Sequence, residues 1–205
     1  YQITRSCRFD YGSYTTFTPS GNGDLKHFTW SVWVKFSRLD LSSSFGYSNI
    51  VYGTSGGSYN YNMGIGDQTT EGAELSYQHK YALNTYKSLR DVGGWYHIVT
   101  SYNLDDGTNA NRIKIYVNGV EYTGSLKTDQ RNLMNENSNF NASGVPHHLG
   151  RYRASSGYMD GYIAEMVWLD GVAKDVTDFG EFDSDTGIWK PKDVSGLTSE
   201  KGTNG

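Results

Sequence analysis

Carboxylates in two parts of the sequence could take part in glycoside hydrolysis, which needs a pair of acidic side chains. The two carboxyl groups must lie about 5–5.5 Å apart in retaining enzymes and about 6.5–9.5 Å apart in inverting ones. The string EFDSD at 181–185 has acids at alternating positions, but it lies in a turn-rich segment. Glu165 has no second acid two residues away, and serine and histidine occur without a nucleophile elbow. We therefore predict solvated loop carboxylates and no catalytic residues.

A calcium ion could bind the loop at 105–111, where acidic and amide side chains are dense. Ca²⁺ prefers carboxylate and carbonyl oxygens. The candidate ligands are Asp105, Asp106, Asn109 and Asn111. The same side chains form Asx-turns without an ion, so both interpretations stay open. His147 and His148 are adjacent, so on a strand their rings face opposite ways and chelate one metal poorly. Calcium is the one cofactor that we consider, and no other is expected.

Tyrosines beside asparagine or arginine could bind a sugar, because an aromatic ring offers a stacking platform and its neighbours offer hydrogen bonds. The segments 58–62 and 151–158 have this composition. The candidate carbohydrate-binding residues are Tyr59, Tyr61, Asn62, Arg151, Tyr152, Arg153 and Tyr158. Tyrosine is also a common strand residue whose hydroxyl reaches water, so for any single tyrosine the structural explanation is favoured.

The elements that must position these side chains are strands, because apolar residues alternate along the chain. In RIKIYVNGVEYTG at 112–124 every second residue before the turn is apolar. Asn118-Gly119 is a strong hairpin signal, because a type I′ turn requires positive φ at both central residues. The stretch HFTWSVWVKF at 27–36 alternates in the same way. Its predicted inner face comprises Phe28, Trp30, Val32, Val34 and Phe36.

Turn residues recur about every 8 to 15 positions, and no stretch of ten residues has a convincing helical period. This pattern predicts an all-β sandwich in a single domain, residues 1–205, that is part of a longer chain. We also predict a strand at 1–5, a polar surface excursion at 128–144 and one helical turn within 174–182. The C-terminal tail from residue 183 is expected to wrap the sandwich.

Charge and cysteine content narrow the classes of partner. The net charge is -4, and no run of lysine or arginine is present, so nucleic acid is not an expected partner. No apolar run approaches the ~20 residues of a spanning helix, so membrane insertion is not expected. Cys7 is the one cysteine, which excludes an internal disulfide and fits assembly in a reducing cytoplasm. We expect Cys7 to be buried as a small hydrophobic residue.

Three stretches, taken together, resemble a known superfamily. They are FTWSVWVKF, GWYHIVTSYN followed by NRIKIYVNGVEYT, and the segment from HHLGRY to DSDTGIWKP. In this order they resemble the laminin-G/pentraxin-like branch of the concanavalin A-like lectin/glucanase superfamily, and most of all domains of marine bacteriophage structural proteins. The opening ITRSCRFDYGSYTTF fits the same pattern. The resemblance implies a jelly roll of two antiparallel sheets, with a concave face and clustered loops.

The resemblance also bears on the candidate sites, since the superfamily includes lectins, hydrolases, adhesion modules and structural domains. Its hydrolases carry an E-x-D-x-x-E arrangement, and EFDSD lacks the final glutamate. Many relatives bind one calcium ion, and Ala164 stands where they often have an aspartate. The resemblance therefore favours a domain that binds or assembles and does no chemistry.

The function that we expect is that of a non-catalytic virion surface domain, on a tail fibre, a head fibre or a decoration protein. It would recognise host surface glycans or contact other virion subunits, and would form a homo-oligomer within the assembly. The expected location is the extracellular particle, after synthesis in the host cytoplasm. The alternatives are a polysaccharide-degrading, glucanase-like domain and a purely structural capsid or tail module.

Overall fold

The computed structural model describes a chain folded almost entirely into strands. The described residues are 1–38, 47–54, 60–66, 74–78, 82–133, 137–138, 140–151, 157–200 and 202–204. Within them the strands are β1 (Cys7–Asp10), β2 (Thr15–Phe17), β3 (His27–Phe36), β4 (Tyr47–Thr54), β5 (Asn60–Gly66), β6 (Glu74–Gln78), β7 (Ala82–Ser88), β8 (Tyr96–Asn103), β9 (Ile113–Val117), β10 (Val120–Glu121), β11 (Leu126–Asp129), β12 (His147–Leu149), β13 (Asp160–Asp170), β14 (Gly180–Phe182) and β15 (Trp189–Pro191).

Helical structure in the described residues is limited to short 3-10 turns. They lie at Asn109–Asn111, Arg131–Leu133, Val176–Asp178 and Ser195–Glu200. The turn at Val176–Asp178 matches the predicted helical turn within 174–182. No helix in this part of the chain is long and apolar enough to cross a membrane.

Two antiparallel sheets form the body of the fold. Among the described strands, one sheet has the order β1-β13-β3-β8-β9-β10, and the other has the order β11-β7-β6-β5-β4-β12-β2. A separate hairpin pairs β14 with β15. The predicted all-β sandwich of antiparallel sheets is therefore confirmed.

The core between the two sheets is built from the inner face of β3 and its neighbours. The five residues of the predicted inner face of β3 are fully buried. Phe28 stacks on Tyr102 with ring centroids 4.1 Å apart and on Trp168 at 5.5 Å. Large rings thus fill the space with few residues, and each fully buried side chain of this kind contributes about 1.5–3 kcal/mol.

The outer face of β3 is buried as well, beneath the C-terminal part of the chain. Thr29, Ser31 and Trp33 are all less than a tenth exposed. Trp33 belongs to a second apolar cluster that includes Phe179 and Trp189. The prediction that the tail wraps the sandwich is confirmed. The tail explains why β3 is buried on both faces although its outer face carries Thr29 and Ser31.

The hairpin between β9 and β10 has the predicted turn. Asn118 has a φ of 49° and Gly119 a φ of 81°, as a type I′ turn requires. A Cβ atom on Gly119 would lie 2.2 Å from Cε3 of Trp189. Glycine is therefore needed at this position both for its backbone angle and for the close approach of the tail.

Three local predictions are wrong. Residues 1–6 form no strand, and β1 begins only at Cys7. Cys7 is exposed, because β1 is a short edge strand in which only Phe9 is buried. The segment 128–144 is only partly a surface excursion, because it contains β11 and because Phe140 is fully buried among the core rings.

Asp170, at the end of β13, joins distant parts of the chain. Its carboxylate accepts hydrogen bonds from the backbone N–H groups of Asp24 at 2.7 Å, Thr203 at 2.8 Å and Asn204 at 3.1 Å. The Asn141 side chain donates a further hydrogen bond to it. Four N–H donors satisfy a carboxylate that is 5% exposed, so this group closes the tail onto the sandwich without an ion.

Candidate carbohydrate-binding surface

A cluster of tyrosines and arginines lies on the surface where the two sheets meet at the β1 and β2 edge. The loop between β1 and β2 supplies Tyr11 and Tyr14, and the segment before β13 supplies Tyr158. Arg38 follows β3, and Arg151 follows β12. We call these five residues the tyrosine–arginine cluster.

The loop that carries Tyr11 and Tyr14 is held by backbone and side-chain hydrogen bonds. Asp10 and Ser13 bond reciprocally, since each backbone N–H donates to the other's side-chain oxygen, at 3.2 and 3.0 Å. Tyr11 has a φ of 63°, a left-handed conformation that few non-glycine residues adopt. Its N–H donates to the carbonyl oxygen of Met159 at 3.1 Å, which ties this loop to the segment that carries Tyr158.

The three tyrosine rings form a continuous aromatic surface. The centroid of Tyr158 lies 6.3 Å from that of Tyr11 and 6.4 Å from that of Tyr14, and both pairs are tilted. Tyr11 is 43% exposed and Tyr14 is 44% exposed, while Tyr158 between them is half-buried. Rings exposed to this extent can present their faces to a ligand in solution.

An arginine lies over each exposed ring. The Arg38 guanidinium carbon is 5.0 Å from the Tyr11 centroid, and that of Arg151 is 3.5 Å from the Tyr14 centroid. Such cation–π contacts are worth about 0.5–1 kcal/mol at exposed sites, and they orient the guanidinium plane. The order along the surface is therefore arginine, tyrosine, tyrosine, tyrosine, arginine.

His148 supports the Arg151 end of the cluster. Its Nδ1 lies 2.7 Å from the Thr16 hydroxyl oxygen and 3.4 Å from Nη2 of Arg151, and its ring meets Tyr14 edge-on at 6.1 Å. Burial, together with the nearby positive charge of Arg151, lowers the pKa of His148. A neutral imidazole here does not repel the guanidinium that stacks on Tyr14.

The structure brings together only some of the sequence-predicted sugar-binding residues. Arg151 and Tyr158 lie in the cluster, while Tyr59, Tyr152 and Arg153 lie outside the described residues. The backbones of Tyr61 and Asn62 lie in β5, opposite Gly53 and Tyr52 of β4. Sugar binding by any of these residues stays a prediction.

Sequence reasoning missed Tyr11, Tyr14 and Arg38. The string DYGSY at 10–14 carried a usable signal, because two tyrosines flank turn residues between two short strands. Tyr158, the tyrosine that joins Tyr11 and Tyr14, is more than a hundred residues away in the chain, in the loop before β13. Spacing along the sequence therefore could not show that they meet.

The predicted calcium loop uses its carboxylates for other contacts. Asp105 accepts a hydrogen bond from Nε2 of His27 at 2.8 Å. Asp106 closes an Asx-turn, because its Oδ1 accepts from the N–H of Thr108 at 2.7 Å. Burial lowers the pKa of His27, but hydrogen bonds to Asp105 and Asp24 outweigh it and raise the pKa overall. When it is protonated, the His27 ring opposes a cation at Asp105, and calcium binding by this loop stays a prediction.

The acids of the string EFDSD have structural contacts. Asp183 accepts from the N–H of Thr186 at 2.9 Å and from Nζ of Lys190 at 3.1 Å. The backbone and hydroxyl hydrogen bonds from Thr186, and then the one from Lys190, hold the pKa of the Asp183 carboxyl far below its usual range. Glu181 also lies 3.4 Å from Lys190. These contacts close the β14–β15 hairpin, in line with the predicted loop carboxylates.

Glu165 lies in a β-bulge of β13, away from those acids in the chain. The register of β13 against β3 shifts between Ala164 and Val167, and Glu165 has a φ of 43°. Its carboxylate accepts a hydrogen bond from the Tyr1 hydroxyl. Burial raises the pKa of this carboxyl. The bulge places Glu165 beside the N-terminal segment.

A buried serine–histidine pair imitates a nucleophile and its base. The Ser31 hydroxyl oxygen lies 2.7 Å from Nε2 of His97. The indole N–H of Trp189 donates to Nδ1 of His97 at 2.9 Å, so the neutral ring carries its proton on Nε2 and donates it to Ser31. Burial lowers the pKa of His97 to about 3. His97 therefore cannot take the proton of Ser31, and the pair is structural.

Comparison with protein families identifies the architecture. Residues 9–175 match the family Laminin_G_3, which is described as part of the concanavalin A-like lectin/glucanases superfamily. The chain belongs to this family. The predicted membership of the superfamily is therefore confirmed, and the sandwich is a laminin G-like domain of the concanavalin A-like class. Among curated proteins, no sequence matches the chain.

Solved structures with a similar fold include binding domains and parts of enzymes. Domain 4 of an extracellular arabinanase from Geobacillus stearothermophilus, in complex with arabinotriose, is 19% identical with a TM-score of 0.56, over 82% of this chain and 72% of that one. Domains LG4-5 of the mouse laminin alpha1 chain are 12% identical with a TM-score of 0.55, over 85% of this chain and 44% of that structure. The binding domain of Paraclostridial Mosquitocidal Protein 1 is 14% identical with a TM-score of 0.54, over 84% and 41%.

These similarities show the fold, and the function has to be inferred from the residues of the site. All three identities are below 20%, and the chain spans less than half of the solved laminin LG4-5 domains and of the solved mosquitocidal binding domain. The same fold serves unrelated functions, which must be argued from particular residues.

Proposed function

We propose that this laminin G-like domain binds glycans through the tyrosine–arginine cluster and carries out no chemistry. The observation that carries the proposal is the row of three tyrosine rings with an arginine stacked at each end. The arabinanase domain with arabinotriose offers a precedent for saccharide binding on this fold. The toxin binding domain is a second precedent for a role in recognition.

The chemistry of the cluster suits a saccharide. An exposed tyrosine offers an apolar ring face to the C–H face of a sugar and a hydroxyl to its polar edge. An arginine has planar N–H donors in a fixed geometry, and stacking on Tyr14 or Tyr11 limits its rotamers before the ligand arrives. A site that is ordered beforehand loses less entropy on binding.

We further propose that the domain is displayed on the outside of a virion, on a tail fibre, a head fibre or a decoration protein. The support for this is the resemblance of its three sequence stretches to domains of bacteriophage structural proteins. Its partners there are host surface glycans, neighbouring virion subunits and further copies of the chain. Exposed glycan-binding loops on a stable sandwich fit attachment to a host cell.

The absence of catalysis is part of the proposal. The Ser31–His97 pair has the wrong tautomer for proton abstraction, and Asp183 is committed to its hairpin. The alternative of a glucanase-like domain predicts release of reducing sugar from β-glucans, with loss of turnover in Glu165→Gln or Glu181→Gln. Such turnover would contradict the proposal.

Binding at the cluster is proposed to need no metal, because arginine and tyrosine groups supply its donors. Glycan binding should persist in EDTA. Loss of binding in EDTA with recovery in calcium would indicate a calcium site in the loop at 105–111. Asp106→Asn would then be the first variant to test.

The direct test is a glycan array with host surface polysaccharides, followed by isothermal titration of the positive glycans. Tyr14→Ala and Tyr11→Ala should each weaken binding by about tenfold, because each removes a stacking face and the orienting surface of an arginine. Phe182→Ala is the matched control, since Phe182 is a 53% exposed ring in β14, outside the cluster. Equal binding by all of these variants would contradict the proposed site.

A purely structural role in the virion is the second candidate, and one surface favours it. Val120, Phe182 and Ile188 are 61%, 53% and 66% exposed, and they adjoin the packed pair of Gly119 and Trp189. An apolar surface of this kind suits contact with a neighbouring subunit. Absence of any glycan on the array, together with assembly that Ile188→Ser abolishes, would favour this candidate.

A further inference from the structure

A cavity of about 370 Å³ lies on the outer face of the six-stranded sheet, and it is lined by residues other than those of the tyrosine–arginine cluster. The N-terminal segment, residues 1–6, forms one wall without joining the sheet. Trp33, Trp95, Ala164 and Pro191 complete the lining. The cavity has the volume of a small-molecule site, and its walls come from the N-terminal segment, the sheet and the tail.

The sheet wall of the cavity is aromatic and its shape is fixed. Trp33 stacks on His97 with centroids 4.6 Å apart, and its backbone pairs with Ala164 of β13. The small side chain of Ala164 leaves the space beside the Trp33 ring open. Trp95 is 39% exposed and its ring lies 6.5 Å from that of Tyr162, so a second indole is presented at the opening.

The opposite wall is polar and carries a positive charge. It consists of Tyr1, Gln2, Ile3, Thr4, Arg5 and Ser6. Within the described part of the chain, the Arg5 guanidinium has no hydrogen bond, ion pair or ring contact of its own. Arg8 by contrast pairs with Asp160 at 2.6 Å. The nearby Glu165 carboxylate is engaged by the Tyr1 hydroxyl and does not line the cavity.

We propose that this cavity binds a carboxylated sugar residue, with its ring against Trp95 and its carboxylate on Arg5. An indole is a larger aromatic platform for a sugar ring than the phenol ring of tyrosine. The Arg5 guanidinium lies across the cavity from the indoles of Trp33 and Trp95. This arrangement matches a ligand that has an apolar ring face and an anionic edge. Bidentate guanidinium–carboxylate bonds are the stronger, charge-assisted kind. The site is separate from the tyrosine–arginine cluster and does not depend on it.

Intrinsic tryptophan fluorescence reports on this site, because two of the five tryptophans of the chain line the cavity and the cluster contains none. The matched probes are D-glucuronic acid and D-glucose, which differ only in the C6 carboxylate. We expect glucuronic acid to change the emission with saturation and glucose to bind at least about tenfold more weakly. Benzoate tests whether a carboxylate on any ring suffices, and it should bind more weakly than glucuronic acid.

Two variants assign the binding to the cavity. Arg5→Gln should reduce glucuronic acid affinity about tenfold or more, and Lys87→Gln, at another exposed cation, should leave it unchanged. Trp95→Ala should abolish binding in calorimetry, where loss of its emission does not matter. Thermal midpoints within a degree or two of wild type would show that these exposed substitutions leave the fold intact.

The outcomes separate this proposal from the proposed function. Tyr14→Ala should weaken binding to the array glycans by about tenfold and leave the fluorescence titration unchanged. Equal affinity for glucose and glucuronic acid, tighter binding of benzoate, no saturable response to either sugar, or an unchanged response in Arg5→Gln would each overturn the cavity site. None of those results bears on glycan binding at the cluster.

Discussion

At the scale of single residues, the buried histidines show how position decides chemistry. His97 accepts a hydrogen bond from Trp189, and His147 accepts one from the N–H of Asn141 while its Nδ1 donates to the Val145 carbonyl. Protonation would place an added proton against an N–H donor in each case. Burial lowers the pKa of His97 to about 3 and that of His147 to about 4.

These histidines predict that the free energy of unfolding falls in mild acid. Their pKa values are lower in the folded than in the unfolded chain, so their full contribution is present above about pH 6.5. It is lost progressively as pH falls toward about 4 for His147 and about 3 for His97. Between pH 6.5 and 5 each histidine should lower the free energy of unfolding by about 1.6 kcal/mol. Urea unfolding at both pH values measures this.

His147→Gln provides the check on that prediction. The variant loses stability at every pH, but its dependence between pH 6.5 and 5 should be shallower than that of wild type by about one proton. An identical slope in the two proteins would show that His147 is not buried in its neutral form.

The residue scale is also where sequence reasoning did least well. Arg151 and Tyr158 could be named from composition, but Tyr11 and Tyr14 could not be joined to them, because the contact depends on the left-handed backbone at Tyr11. Cys7 was expected to be buried, and it is exposed because edge strands leave one side uncovered.

At the scale of elements, the alternation of apolar and polar residues predicts a strand correctly where the two faces of that strand differ in composition. The hairpin from β9 to β10 and the inner face of β3 follow from it directly. Residues 1–6 have a strand-like composition but no ladder partner, and Phe140 is buried although its neighbours in sequence are polar. Both outcomes depend on contacts with residues distant in the sequence.

The β9–β10 turn gives a prediction at this scale. Gly119→Val should destabilise the domain by at least about 1–3 kcal/mol, because a β-branched residue resists positive φ. The clash with Trp189 should add to this and loosen the β14–β15 hairpin. The change in thermal or urea midpoint is the measurement.

Gly171→Val is the matched control for that substitution. Gly171 has a φ of 86°, yet a Cβ there would meet nothing within 4 Å. Both variants share the backbone strain, so the excess loss in Gly119→Val isolates the Trp189 contact. Equal losses of stability in the two variants would mean that Trp189 of the tail does not pack against this turn.

At the scale of the whole molecule, the tail covers the outer face of the six-stranded sheet, so that an apolar cluster lies on each face of this sheet. One cluster lies between the sheets, and the other lies beneath residues 176–197. The sequence predicted that the tail wraps the sandwich, but it could not show which face would be covered. Covering this face confines the cavity at Trp33 and Trp95 to one end and leaves the tyrosine–arginine cluster free at the sheet edge.

The measurement that tests the central claim most directly is a titration of the isotopically labelled domain with a glycan selected on the array, followed by NMR. The account predicts saturable shifts of the ring signals of Tyr11, Tyr14 and Tyr158, with the same dissociation constant at all three. Saturable shifts elsewhere on the sandwich, with these rings unperturbed, would contradict it.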